Sequence, residues 1–186
     1  MINKTNLPLP QIAVFDWDLT LVNSYETIKN AYLMTCDALE IAVEPQKPHE
    51  FFIGLADKTR LPEYFGKNWE QGLQIFRKNY ELRMFDDITL LPNTRELLNM
   101  FRNRGIAMSI ASNKPQQILE NEIAYFDLTH YFLHIVGTTQ DADMKPNIKM
   151  MQSAIQGINF KNATDVWMIG DLPNDILLAQ NFGATS

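Results

Sequence analysis

The chain has a single cysteine, Cys36, so no internal disulfide can form. That usage predicts a reducing, cytoplasmic setting. No stretch approaches the roughly 18 apolar residues of a membrane span, so no membrane partner is expected. Residues 1–10 hold two prolines and lack the apolar run of about 7–15 residues that a secretory signal needs. Positive charge is scarce: 16 Lys and Arg stand against 22 Asp and Glu, a net charge of −6. This balance argues against a general nucleic-acid binder. An anionic substrate must then be held by local positive charge or by a metal ion. Repeats, low-complexity runs and flexible linkers are absent.

What is present suits a folded domain. Apolar residues make up 46% of the 186, enough for a core without disulfides or a structural metal. Short apolar runs at 12–15, 106–111, 131–136 and 166–169 read as buried strands. Helical patterns separate most of them. The segment 93–104 opens with Asn93 and Glu96 as a plausible capping pair and stops at Gly105. Pro115 and Pro146 sit where first helical turns would start, and Gly183 follows a helix over 173–182. Alternating strands and helices predict an α/β fold, a Rossmann-like parallel sheet core with helices on both faces.

The stretch after the first strand differs. Ile28, Ala31, Thr35 and Leu39 share one helical face; Trp69, Leu73, Phe76, Tyr80 and Met84 share another. This predicts a small helical cap over 23–87, inserted into a discontinuous core of 1–22 and 88–186.

Ligands of open parallel sheets bind beyond the carboxyl ends of the strands. The first strand delivers Asp16, Asp18 and Thr20. The second delivers Ser112, Asn113 and Lys114. Lys145 precedes the helix near Pro146, and the fourth strand delivers Gly170, Asp171 and Asp175. Crowded carboxylates repel, and a hard divalent cation relieves them. Mg²⁺ takes oxygen ligands and commonly shares its shell with phosphate. Asp16 and Asp171 are natural ligands, and Ser112 and Lys145 are left for phosphate oxygens. A carboxylate facing a phosphoryl group is a nucleophile, and its product is an aspartyl-phosphate. Asp18 could protonate the leaving oxygen and then deprotonate the attacking water.

These residues resemble the haloacid dehalogenase superfamily. Its four motifs occur in order: Asp16-x-Asp18-x-Thr20, Ser112-Asn113, Lys145, and Gly170-Asp171-x-x-x-Asp175. The resemblance implies Asp16 as nucleophile and Mg²⁺ ligand, and Asp18 as general acid/base with its carbonyl on the metal. It implies Thr20, Ser112, Asn113 and Lys145 around the phosphate, and Asp171 and Asp175 on the metal side. It further implies a phosphoric monoester hydrolase acting on a small phosphorylated metabolite, most similar to the phosphoglycolate phosphatase group. Lys58 and Arg60 lie near where family caps contact substrate. A phosphomutase and a catalytically weak, non-enzymatic member of the fold are the alternatives; a signal-receiver domain fits less well, because its acceptor Asp lies mid-chain, where this sequence has Ser112.

Two departures carry expectations of their own. Leu19 stands where the family has Gly, so the loop either keeps φ negative or is strained. The chain stops at Ser186, where a fifth strand should begin, which would leave the fourth strand as an open edge. His130 and His134 are four apart, as in a metal-binding helix, but 131–136 reads as a strand, which argues against a metal site there.

Overall fold

The structure, a computed structural model, describes residues 8–43, 60–139 and 143–186. In chain order the elements are β1 (Ile12–Phe15), β2 (Val22–Asn23), α1 (Tyr25–Ala38), α2 (Leu61–Phe65), α3 (Trp69–Arg83), β3 (Thr89–Leu90), α4 (Thr94–Asn103), β4 (Ala107–Pro115), α5 (Gln116–Tyr125), β5 (His134–Thr138), α6 (Ile148–Ala154), β6 (Val166–Ile169) and α7 (Pro173–Phe182). They form two compact units, one of Met1–Trp17 with Asn93–Ser186 and one of Asp18–Pro92.

The first unit is built on a parallel sheet of order β5-β4-β1-β6. β1 is central and buried throughout, which is why IAVF reads as an unbroken apolar run rather than an alternating one. Successive side chains still point to opposite faces. Ile12 and Val14 join Met150, Met151 and Ala154 of α6 and Leu178 and Ala179 of α7 in one core layer. Phe15 points the other way and meets Phe101 of α4 with ring centroids 5.8 Å apart. Helices therefore cover both faces, as the alternation predicts.

The local expectations hold unevenly. Gly183 ends α7 with φ 85°, a left-handed position that suits glycine. Asn93 sits before α4, but at φ 65° and without a side-chain cap, so the anticipated capping pair does not form. β5 begins at His134 rather than 131. Residues 129–131 form a 3₁₀ turn instead, from which the Tyr131 hydroxyl donates to Asn99 Oδ1 at 2.8 Å. α6 starts at Ile148, past Pro146, because Asn147 caps it by accepting from the Lys149 amide. β6 is not an open edge: Thr185 lies alongside it, donating its amide to Val166 O and accepting from Met168 N.

The second unit pairs two helices and a short ribbon. α1 buries Ile28, Ala31, Tyr32, Thr35 and Cys36, and α3 buries Gly72, Phe76 and Tyr80. Leu39 falls beyond the helix end, and Trp69, Leu73 and Met84 are half-buried, so the true stripes are narrower than the sequence suggests. β2 and β3 pair antiparallel, Val22 opposite Leu90, an element too short to show as a hydrophobic pattern. No helix among the described residues is long and apolar enough to cross a membrane.

Candidate active site

The sheet register explains why distant motifs converge. Phe15 is level with Ile110 on one side and Ile169 on the other, so the chain leaves β1, β4 and β6 at the same edge. Asp16 follows β1 directly, and its amide donates to Ile169 O at 2.8 Å. Asp171 and Asp175 follow β6, the latter in the first turn of α7. Carboxylate oxygens of Asp16, Asp171 and Asp175 lie within 4.8 Å of one another. Asp16 and Asp175 are buried and Asp171 is exposed.

Lys145 brings a positive charge to this cluster. Its ammonium lies 2.7 Å from Asp16 Oδ1 and 2.6 Å from Asp175 Oδ1. Burial pushes its pKa down, but the charges of Asp16 and Asp175 and their hydrogen bonds outweigh burial and hold it above the usual lysine value. Lys145 is thus a fixed cation. Its backbone amide donates to Asn113 Oδ1 at 2.7 Å, tying the lysine to the end of β4.

Asn113 Nδ2 is buried and finds no partner among the described residues. A buried donor without an acceptor is costly, and an anion at this point would satisfy it. Ser112 is buried beside it and accepts from the Lys114 amide at 3.3 Å. Three carboxylates whose oxygens lie this close could hold a cation, and the unmet Asn113 amide could meet an anion. That donor set fits Mg²⁺, a hard ion that prefers oxygen.

The other residues singled out in the sequence are placed within their own units. Asp18 and Thr20 belong to the second unit. Leu19 between them has φ 59°, so the loop adopts the conformation that favours glycine. Arg60 pairs with exposed Glu63 at 3.1 Å and covers the Tyr64 ring. Lys58 lies outside the described residues. His134 meets Gln156 O at 2.8 Å and His130 packs on Tyr131, both structural contacts. Lys114 forms a buried pair with Glu122. Sequence reasoning missed Glu122, although one acid among Ile118, Leu119 and Ile123 on the apolar face of a helix is a signal.

Comparison with known proteins gives the family. A family model described as haloacid dehalogenase-like hydrolase matches residues 13–186, and the chain belongs to that family. A phosphoglycolate phosphatase of Vibrio parahaemolyticus is 29% identical, covering 95% of this chain and 82% of its own length. A HAD-superfamily hydrolase from Ehrlichia chaffeensis superposes with a TM-score of 0.68 at 26% identity, over 96% of this chain and 86% of that one. A haloacid dehalogenase-like family protein from Streptococcus pneumoniae shares the fold, with a TM-score of 0.78 at 23% identity over 94% and 82%.

Proposed function

We propose that the protein is a Mg²⁺-dependent phosphatase that hydrolyses a small phosphorylated metabolite through an aspartyl-phosphate on Asp16. The observation that carries this reading is Lys145 bridging Asp16 and Asp175, with Asp171 alongside. Relatives named phosphoglycolate phosphatase support the substrate class.

In this reading an oxygen of Asp16 attacks phosphorus, and the bond from phosphorus to the leaving oxygen breaks. Asp18 gives that oxygen a proton. Asp18 then takes a proton from water as the water attacks the acyl phosphate, releasing phosphate and restoring Asp16. Lys145, charged and immobilised, holds the nucleophile and faces the phosphoryl oxygens. Ser112 and Asn113 donate to those oxygens, and Thr20 steadies the loop that carries Asp18. Mg²⁺, held by Asp16, Asp171, the Asp18 carbonyl and Asp175, would supply further positive charge against the phosphoryl oxygens.

The insertion 23–87 takes the part of a cap, with Lys58 and Arg60 assigned to substrate contact. The exposed Arg60–Glu63 pair is worth about 1 kcal/mol or less, so the arginine can be released. The single buried cysteine supports a cytoplasmic site of action.

Hydrolysis of an aryl phosphate tests the reading. Wild-type protein should release phosphate with Mg²⁺ and lose turnover when the ion is chelated. Asp16→Asn should remove activity and the acid-stable phosphoenzyme while keeping the far-UV spectrum. Wild-type turnover in Asp16→Asn would refute the nucleophile.

A further inference from the structure

Glu122 is fully buried on α5 between Ile118, Leu119 and Ile123. An ionised carboxylate there is costly unless its charge and lone pairs are met. Both are met. Lys114 Nζ donates to Oε1 at 2.8 Å and to Oε2 at 2.7 Å, and Trp17 Nε1 donates to Oε2 at 2.7 Å. The two donors come from the two strand ends that carry the proposed chemistry: Trp17 follows Asp16, and Lys114 follows Ser112 and Asn113.

These contacts close a ring. Asp16 meets Lys145, the Lys145 amide meets Asn113, and Asn113 is followed by Lys114. Lys114 meets Glu122, Glu122 meets Trp17, and Trp17 is bonded to Asp16. The ring lies where the sheet stops acting as a ruler. The β1–β4 ladder ends at Phe15 and Ile110, and the β4–β5 register shifts between Ala111 and Pro115. Beyond those points ladder hydrogen bonds no longer set the spacing of Asp16 from Ser112 and Asn113.

We propose that Glu122 is a positioning residue for phosphate-ester hydrolysis, gripping Trp17 and Lys114 with one carboxylate and so setting the distance from Asp16 to the Ser112–Asn113 phosphate contacts. This rests on the function proposed above. A buried ion pair with a purely structural role can be replaced by apolar groups without harm to the site. A positioning clamp cannot, because small misplacements of reacting groups cost up to about 100-fold in rate.

Three variants decide between these roles, assayed on an aryl phosphate well below their unfolding midpoints. Lys114→Met/Glu122→Leu removes both charges of the pair together. Its kcat should fall by about 10–100-fold while KM changes by less than about threefold. Glu122→Gln keeps one oxygen, which at the Oε2 position accepts from both Trp17 and Lys114, so its kcat should stay above that of the double variant although the Lys114 charge loses its counter-charge. Trp17→Phe cuts one tie, leaves the ion pair intact, and should also lower kcat; it decides the matter if the double variant does not fold. A crystal structure of the double variant or of Trp17→Phe should show the backbone of 112–114 displaced from Asp16. Wild-type kcat in these two variants, or an undisplaced backbone, would overturn the clamp. If the wild-type protein hydrolyses no phosphate ester, the proposed function fails by itself, and the backbone comparison still decides what Glu122 does.

Discussion

Gly170 and Asp175 are fitted so closely that a Cβ on the glycine would lie inside the aspartate side chain. The carboxylate placed this way accepts from Lys145 through Oδ1 at 2.6 Å and from the Leu172 amide through Oδ2 at 3.0 Å. The glycine before Asp171 is therefore the space that Asp175 needs. Gly170→Ala should displace that carboxylate, cost about 1–3 kcal/mol of stability and lower kcat at least as much as Asp175→Asn. Thermal unfolding and aryl phosphate hydrolysis measure both effects, and normal values would show that Asp175 can move without consequence.

Lys145 neutralises two buried carboxylates, so its loss should matter most when no divalent cation is present. Lys145→Met removes the cation that both Asp16 and Asp175 meet, and breaking a buried pair in this way costs about 3–5 kcal/mol. A cation that binds the folded state restores stability. The unfolding midpoint of the variant should drop without Mg²⁺ and recover by a larger increment than the wild type on adding it. Equal increments would mean that the ion does not bind at these carboxylates.

Leu19 holds a φ of 59°, where a Cβ clashes with the backbone at about 1–2 kcal/mol. Leu19→Gly relieves that strain but loosens the unfolded chain by a similar amount. The two should cancel to within about 1 kcal/mol. Leu19→Val, β-branched, should destabilise clearly more. Denaturant titration of both variants checks the pair, and equal stability of Val and Gly would argue against strain at this position.

Cys36 is buried on α1, and burial pushes its thiol pKa up despite a hydrogen bond with Tyr32. The folded protein keeps the proton that the unfolded chain releases, so its contribution to stability declines as pH climbs past the ordinary thiol value of about 8.5. Because the thiolate is the reactive form, a thiol reagent at pH 8 should modify native protein far more slowly than denatured protein. Equal rates would place the thiol in solvent.

The strands and the acids at their ends were legible because both are local. IAVF before Asp16 and VWMI before Gly170-Asp171 are apolar runs cut off by polar residues, and a central parallel strand requires that pattern. The β2–β3 ribbon was not legible, since two residues per strand leave no period to read. Asn93 misled because its side chain suits a cap, while the turn before α4 placed its backbone at positive φ instead.

Lys114 and Lys145 show where reading the chain stops. Both are lysines beside a proline, and nothing local distinguishes them. Lys145 meets Asp16 and Asp175, and Lys114 meets Glu122. The residues themselves determined a parallel α/β core with carboxylates at one edge, because strand burial and chain polarity are written in neighbouring positions. Folding alone decided which charge meets which. Trp17 and Glu122 are 105 positions apart, and a buried charge takes whatever partner the packed helices bring within reach.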